Sequence, residues 1–408
     1  MQDANPVGVL GSVSGLRPWN EDDGLSRPRT EGRTPNLIPG QASGAVIQVE
    51  VVPSMRTSKI RVLVVDDSAY NRRTISRLLA SAPDIEVVDT AYDGQHAIKK
   101  VLEHDPDVIT LDLEMPNMDG FTFLRWLMAQ RPKPVIVISA YEADENVLRA
   151  LEMGALDFIA KPGGPISPRL PMIQEQLIAK VRVAAQGKLR PLVRPIPSEA
   201  VRREAVIVRE TSDVPSGVVV IGASTGGPQA IRHLLQRLPP DLPAALLIAQ
   251  HMPPVFTTMF AQRLNQLAGL RVREAGDDEA IRPGYGYVAP GGRHMEVRRA
   301  RGGLRIRLRN PDEREKYVPS VDRLFRSAAE ACGTAVLGLI LTGMGDDGLR
   351  GAAAVKAAGG RIIVEHEETA AVYGMPRAVL EAGLADEVLP LDRIPEALQA
   401  WLRRRHPT

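Results

Sequence analysis

Ser224 closes an apolar run, Val218-Val219-Val220-Ile221-Gly222-Ala223, and is followed by Thr225-Gly226-Gly227-Pro228. A strand running into a small-residue turn and then a helix leaves a serine hydroxyl exposed beside unpaired backbone N–H groups, which can stabilise a developing oxyanion. Pro228 suits the first helical position, where a missing N–H costs nothing. Gly226 and Gly227 remove side chains that would hold a substrate backbone away. The segment fits a nucleophilic serine. It also fits a glycine-rich phosphate cradle, so the choice rests on the rest of the chain.

A serine nucleophile needs a base. Of the seven histidines, His96, His104 and His233 fall in helical stretches, and His366 and His406 come late, without a strand-end context. His251 directly follows the apolar run Ala245–Gln250, the same kind of position that Ser224 takes. His294, after Pro290-Gly291-Gly292-Arg293, is its rival. A carboxylate should orient the imidazole. Asp346 and Asp347 offer one, in Leu341-Thr342-Gly343-Met344-Gly345-Asp346-Asp347-Gly348, with the other left to cap a helix beginning near Leu349. The segment Gly222-Ala223-Ser224-Thr225-Gly226 meets the G-x-S-x-G register, but the order Ser, His, Asp is not that of an α/β-hydrolase. A different doubly wound esterase is expected.

A second set of reactive groups lies earlier. Asp66 and Asp67 end the run Ile60–Val65, Asp112 ends Val108–Leu111, Ser139 closes Val135–Ser139, and Lys161-Pro162 follows Asp157–Ala160. In an open parallel sheet the carboxyl ends of strands meet in one crevice. Carboxylates gathered there repel one another unless a cation such as Mg²⁺ sits between them. A hydroxyl, a lysine and a metal around one carboxylate would bind a phosphoryl group on that carboxylate.

The elements that must position these groups alternate regularly. Between the five early strands, which include Ile85–Ala91, helical stretches lie around Asn71–Ala80, Gln95–Glu103, Phe121–Gln130 and Ala143–Met153. An amphipathic helix with Leu170, Ile173, Leu177 and Val181 on one face follows. Such alternation implies a parallel sheet covered by helices on both faces. A second α/β pattern starts at Gly217, with strands Val218–Ile221, Ala245–Gln250, Ala335–Leu341 and Arg361–Val364 and a hairpin from Met295–Val297 to Leu304–Leu308. The expected organisation is a disordered extension over 1–57, an α/β domain over 58–187, a Pro-rich linker over 188–215, and a Rossmann-like α/β domain over 216–408. Both domains are expected to be doubly wound parallel sheets.

The first domain resembles the receiver domains of two-component systems, through Val64-Val65-Asp66-Asp67-Ser68, Leu111-Asp112-Leu113-Glu114-Met115-Pro116, Met118-Asp119-Gly120, Ser139-Ala140 and Ala160-Lys161-Pro162. The resemblance implies phosphorylation at Asp112. It implies Mg²⁺ held by Asp66, Asp67, Asp112 and the Glu114 carbonyl, with Ser139 and Lys161 on the phosphoryl oxygens. Phe158 takes the aromatic switch position.

The second domain resembles the chemotaxis protein-glutamate methylesterase (CheB) family. It does so through Gly222–Gly227, Gln250-His251-Met252-Pro253 with Phe256-Thr257, Ala289-Pro290-Gly291, Pro319-Ser320-Val321-Asp322, Met344–Gly348 and Tyr373-Gly374-Met375-Pro376. The resemblance implies Ser224 as nucleophile, His251 as base and Asp347 rather than Asp346 as orienting acid. Thr225 and the Met344 N–H would serve the oxyanion and substrate. Implied substrates are methyl-esterified glutamates on methyl-accepting chemoreceptors, with glutamine deamidation as a second activity. A CheA-type histidine kinase would donate the phosphoryl group, and no cofactor is implied for hydrolysis. Val318 departs from the arginine usual in the family before Pro-Ser-Val-Asp. A receiver-controlled nucleotide- or protein-binding module is the competing expectation.

Composition sets the bounds around these readings. Net charge is +2, with 25% charged and 44% hydrophobic residues, which makes no case for nucleic acid. No apolar run approaches the roughly 18 residues of a membrane span. No secretory pattern opens the sequence. Cys332 is the single cysteine, which suits a reducing compartment. A cytoplasmic protein is expected.

Overall fold

The computed structural model describes residues 58–139, 144–161, 170–186 and 215–405. The expected extension over 1–57, the linker residues 188–214 and His406 lie outside the described residues. Among the described residues no helix is long and apolar enough to cross a membrane.

The first half alternates β1 (Ile60–Val65), α1 (Ala69–Ala80), β2 (Ile85–Ala91), α2 (Gly94–His104), β3 (Val108–Leu111), α3 (Gly120–Gln130), β4 (Val135–Ser139), α4 (Asp144–Glu152), β5 (Asp157–Ala160) and α5 (Leu170–Gln186). β3 and β4 are buried throughout, as their unbroken Val/Ile/Leu character requires for strands covered on both faces. Ser68, Asp93 and Asp119 start α1, α2 and α3 by accepting the N–H of Asn71, His96 and Thr122. The sheet is parallel in the order β2-β1-β3-β4-β5. The order reverses beside β1, so Asp66, Asp67 and Asp112 come together where the ends of β1 and β3 meet.

The second half contains β6 (Gly217–Ala223), α6 (Gly227–Leu235), β7 (Ala244–Gln250), α7 (Pro254–Leu267), β8 (Arg271–Glu274) and β9 (Tyr285–Val288). The hairpin β10 (His294–Ala300) and β11 (Gly303–Arg309) follows, then α8 (Val321–Cys332), β12 (Val336–Ile340), α9 (Leu349–Ala357), β13 (Arg361–Glu365), α10 (Met375–Glu381), β14 (Glu387–Leu389) and α11 (Ile394–Arg405). The main sheet is parallel in the order β14-β13-β12-β6-β7-β9-β8. β6, β7 and β12 are buried at every residue. The reversal in strand order falls between β12 and β6, so the turns after those strands form the crevice.

Three strands of this sheet escaped the sequence reading. β8 carries arginines, β9 is interrupted by Gly286, and β14 has only three residues. None shows the long apolar run that identified β6 and β7. α6 begins at Gly227, so Pro228 is its second residue rather than its first. His366 does follow a strand end, that of β13, contrary to expectation; its Nδ1 accepts the Glu368 N–H.

Candidate functional site

At the β1/β3 crevice, Asp66 and Asp112 are buried and Asp67 is exposed. Carboxylate oxygens of all three lie within 4.8 Å of one another. Lys161 Nζ reaches Asp112 Oδ2 at 2.5 Å and Asp66 Oδ2 at 3.4 Å. Asp66 Oδ1 accepts the Ser68 N–H and the Asn71 amide, but Oδ2 has no hydrogen-bond partner. Burial, aided by the Asp66 charge and opposed by Lys161, pushes the Asp112 pKa up to about 6. Burial raises Asp66 as well. A buried carboxylate oxygen that faces only the Lys161 ammonium, beside two further carboxylates, belongs to a donor set that fits a hard divalent cation. Ser139 is buried at the end of β4 in the same sheet.

The second crevice is tied together by backbone. Ser224 N donates to Thr342 O at 3.0 Å, joining the turns after β6 and β12, and His251 N donates to Ala223 O at 3.1 Å, joining those after β6 and β7. The Gln250 amide donates to Ser224 O at 2.9 Å. Gly343 lies so close that a Cβ there would stand 2.9 Å from Ser224 Cβ. Gly226 takes φ 77° at the cap of α6, a left-handed conformation that suits glycine. The Ser224 hydroxyl makes no hydrogen bond to another described residue.

His251 Nε2 lies 2.8 Å from Asp347 Oδ2, and the ring stacks on Tyr317 with centroids 4.9 Å apart. Asp347 is buried and also accepts the N–H groups of Val321 and Asp322 and the Ser320 hydroxyl. Burial alone would raise its pKa; the hydrogen bond and charge of His251 together with the two backbone N–H groups hold it below the ordinary aspartate value. The two remaining candidates are placed elsewhere. His294 is fully buried, bonded to Glu315 and to the Ser320 N–H, so its role is packing. The Asp346 carboxylate accepts only from the Tyr317 hydroxyl, at 3.4 Å, among the described residues, while its backbone carbonyl accepts the Leu349 N–H. The start of α9 is instead satisfied by Asp322, which accepts the N–H groups of Gly348 and Gly351.

The first half, β1 to α5, closes over this crevice. Thr225 Oγ1 donates to Asp157 Oδ2 at 2.5 Å, and Asp157 also pairs with Lys180. The Gln229 amide donates to the carbonyls of Leu151 and Ala155, and Arg263 makes a two-pronged pair with Glu152. Phe158 and Phe256 meet with ring centroids 4.3 Å apart. A cavity of about 690 Å³ lies between the halves, with Pro134, Leu156 and Ala184 on one side and Met344, Gly345 and Tyr373 on the other.

Sequence reasoning missed Ser320 and Asp322 as supports of Asp347, although Ser320-Val321-Asp322 at the start of a helix was a usable capping signal. It also missed Gln250, Tyr317 and Thr342, whose roles depend on contacts between distant turns.

Residues 219–398 match the CheB methylesterase family and residues 62–167 the response regulator receiver domain family. The chain is 47% identical over 348 residues to "Protein-glutamate methylesterase/protein-glutamine glutaminase 1" of Myxococcus xanthus, covering 85% of this chain and 98% of that one. It is 44% identical over 356 residues to "Protein-glutamate methylesterase/protein-glutamine glutaminase 3" of Geobacter sulfurreducens, covering 82% and 95%. The crystal structure of the Thermotoga maritima CheB methylesterase catalytic domain shares 43% identity at TM-score 0.45, covering 45% of this chain and 98% of that one.

Proposed function

Because this chain belongs to the CheB methylesterase family, with a receiver domain ahead of its hydrolase half, we propose that it removes methyl groups from glutamate methyl esters on methyl-accepting chemoreceptors and deamidates receptor glutamines. The reaction is a serine ester hydrolysis under phosphorylation control, serving adaptation in a chemotaxis-like pathway. The phosphodonor is a CheA-type histidine kinase and the setting is the cytoplasm. The division into receiver (58–187), linker (188–215) and hydrolase (216–408) belongs to the same proposal.

The observation that carries the reading is the His251–Asp347 contact, 2.8 Å long, in a turn bonded to Ala223 next to Ser224. A phosphate cradle has no use for a histidine braced by a buried carboxylate. With Nε2 turned to Asp347, Nδ1 is the nitrogen left to take the Ser224 proton, a tautomer assigned from the hydrogen-bond network. Ser224 Oγ then bonds to the ester carbonyl carbon, and the oxyanion is met by the Met344 N–H with Thr225 beside it. His251 returns the proton to the departing methoxide, so methanol leaves. Water, deprotonated by His251, cleaves the acyl-enzyme and restores Ser224. With a glutamine substrate the leaving group is ammonia.

In the receiver, Asp66, Asp67 and Asp112 with the Glu114 carbonyl would hold Mg²⁺, which offsets the charge of the carboxylates and the incoming phosphoryl group. Asp112 accepts that group, and Lys161 and Ser139 contact its oxygens. The Thr225 hydroxyl is engaged by Asp157 in this state, so its service to substrate requires the receiver to withdraw. The test is labelling by a serine-directed phosphonate: modification confined to Ser224 supports the reading, and an unmodified Ser224 in the phosphorylated protein refutes it.

A further inference from the structure

Glu365 ends β13 and is fully buried. Its Oε2 accepts the Thr342 N–H at 2.8 Å. Thr342 is the residue on which the crevice converges. Its carbonyl accepts the Ser224 N–H at 3.0 Å. Its hydroxyl donates to Thr225 O at 2.9 Å and accepts the Val372 N–H at 2.9 Å. The next residue, Gly343, packs on Ser224, and its carbonyl accepts the N–H groups of Gly374 and Met375. One buried carboxyl oxygen therefore underlies both the nucleophile turn and the turn carrying Met344.

We propose that Glu365 is a positioning residue for ester hydrolysis: by accepting the Thr342 N–H, it fixes the turn that carries Met344 against the turn that carries Ser224. The inference rests on the assignment of Ser224 as nucleophile.

The charged groups on the surrounding elements have other partners. Lys356 of α9 pairs with Asp386, Arg361 of β13 with Glu387 of β14, Arg377 of α10 with Glu367, and Asp347 with His251. Arg350 of α9, Glu381 of α10, and His366, Glu368, Tyr373 and Asp346 in the adjoining loops complete the titratable set. None of these charges governs Glu365. Burial raises its pKa to about 7, opposed by the Thr342 N–H and the Thr369 hydroxyl.

Protonated, Glu365 holds Thr342 without a buried charge. Ionised, it is a buried anion with no counter-charge, relieved only if water enters or the strand end shifts, and either loosens Thr342. The folded-state pKa stands above the ordinary value of 4.5, so the associated stability is complete below that value and is lost as pH rises through about 7. Across that window the folding equilibrium constant falls by up to about tenfold per pH unit.

Glu365→Gln keeps an acceptor for Thr342 and cannot ionise. The full-length protein and this variant are compared with phosphodonor from pH 6 to 8.5, so that effects of pH common to both proteins cancel in the ratio. The kcat of the unaltered protein relative to Glu365→Gln is expected to be near one at pH 6 and to fall at least about threefold by pH 8.5, with KM little changed. Melting temperatures should diverge in the same sense, the variant losing less stability above pH 5. Glu365→Ala, which removes the acceptor, should lower kcat even at pH 6. A ratio that stays flat across pH, or a folded Glu365→Ala protein with normal kcat, overturns the inference. Phosphonate labelling is read in the same samples. Normal labelling of Ser224 with a flat ratio removes only Glu365 from the account, whereas no labelling in any sample removes the nucleophile assignment and this inference with it.

Discussion

The Thr225 hydroxyl is bound to the Asp157 carboxylate at 2.5 Å, so the residue next to Ser224 is gripped by the receiver half. Phe158, the next residue along, rests on Phe256 of α7, a helix that begins three residues after His251. One short strand of the receiver thus holds both the turn that carries Ser224 and the helix that follows His251.

That arrangement predicts release by removal. A fragment starting near Lys188 should hydrolyse methylated receptor without phosphodonor, faster than the unphosphorylated whole. Asp157→Ala in the full chain should raise the basal rate, because the grip on Thr225 is lost while Ser224, His251 and Asp347 are untouched. A fragment no faster than the intact unphosphorylated protein would mean that the receiver does not act by blocking.

Control should pass through Asp112. Phosphorylation adds about −1.5 to −2 charges and new acceptors beside Lys161. A hundredfold activation requires about 2.7 kcal/mol of differential stabilisation, within reach of a few charge-assisted hydrogen bonds. Asp112→Asn should stay at the basal rate whether or not phosphodonor is added, as read by methanol release. Chelating Mg²⁺ should prevent phosphorylation of the unaltered protein and leave its basal hydrolysis in place.

The pairing of His251 with Asp347 separates two neighbouring aspartates. Asp347→Asn should be severe, since the imidazole loses its orienting acceptor, and Asp346→Asn mild. A larger loss at Asp346 reverses the assignment.

Asp347 also predicts a pH dependence of stability. Its folded-state pKa lies below the ordinary 3.8, so its contribution is present above that value and is lost as pH falls through the depressed folded value. The melting-temperature gap between the unaltered protein and Asp347→Asn should therefore be wide at pH 7 and close below pH 3.8. A gap independent of pH would mean that the Asp347 charge is not what stabilises the site.

Much of this was legible along the chain because the chemistry sits at strand ends. Ser224, His251, Asp66 and Asp112 each follow a run that is apolar enough to be recognised, and a parallel sheet brings such ends to one edge. The supporting residues were not legible in the same way. Glu365 looks like an ordinary polar stop to a strand until β13 is placed beside β12. Tyr317 lies in an irregular loop, and Thr342 acquires its partners only when turns 118 positions apart in sequence, at Ser224 and Thr342, are laid against each other. The grip of Asp157 on Thr225 depends on how two domains dock, for which the periodicity of either domain holds no signal.

The most direct measurement is methanol release from methylated chemoreceptor by the full-length protein, with and without phosphodonor, beside its Ser224→Ala and His251→Ala variants. The account predicts release that rises with phosphodonor, falls by about 10⁴-fold or more in either variant, and is little worse in the double variant. Near-normal release from the Ser224→Ala protein would contradict it.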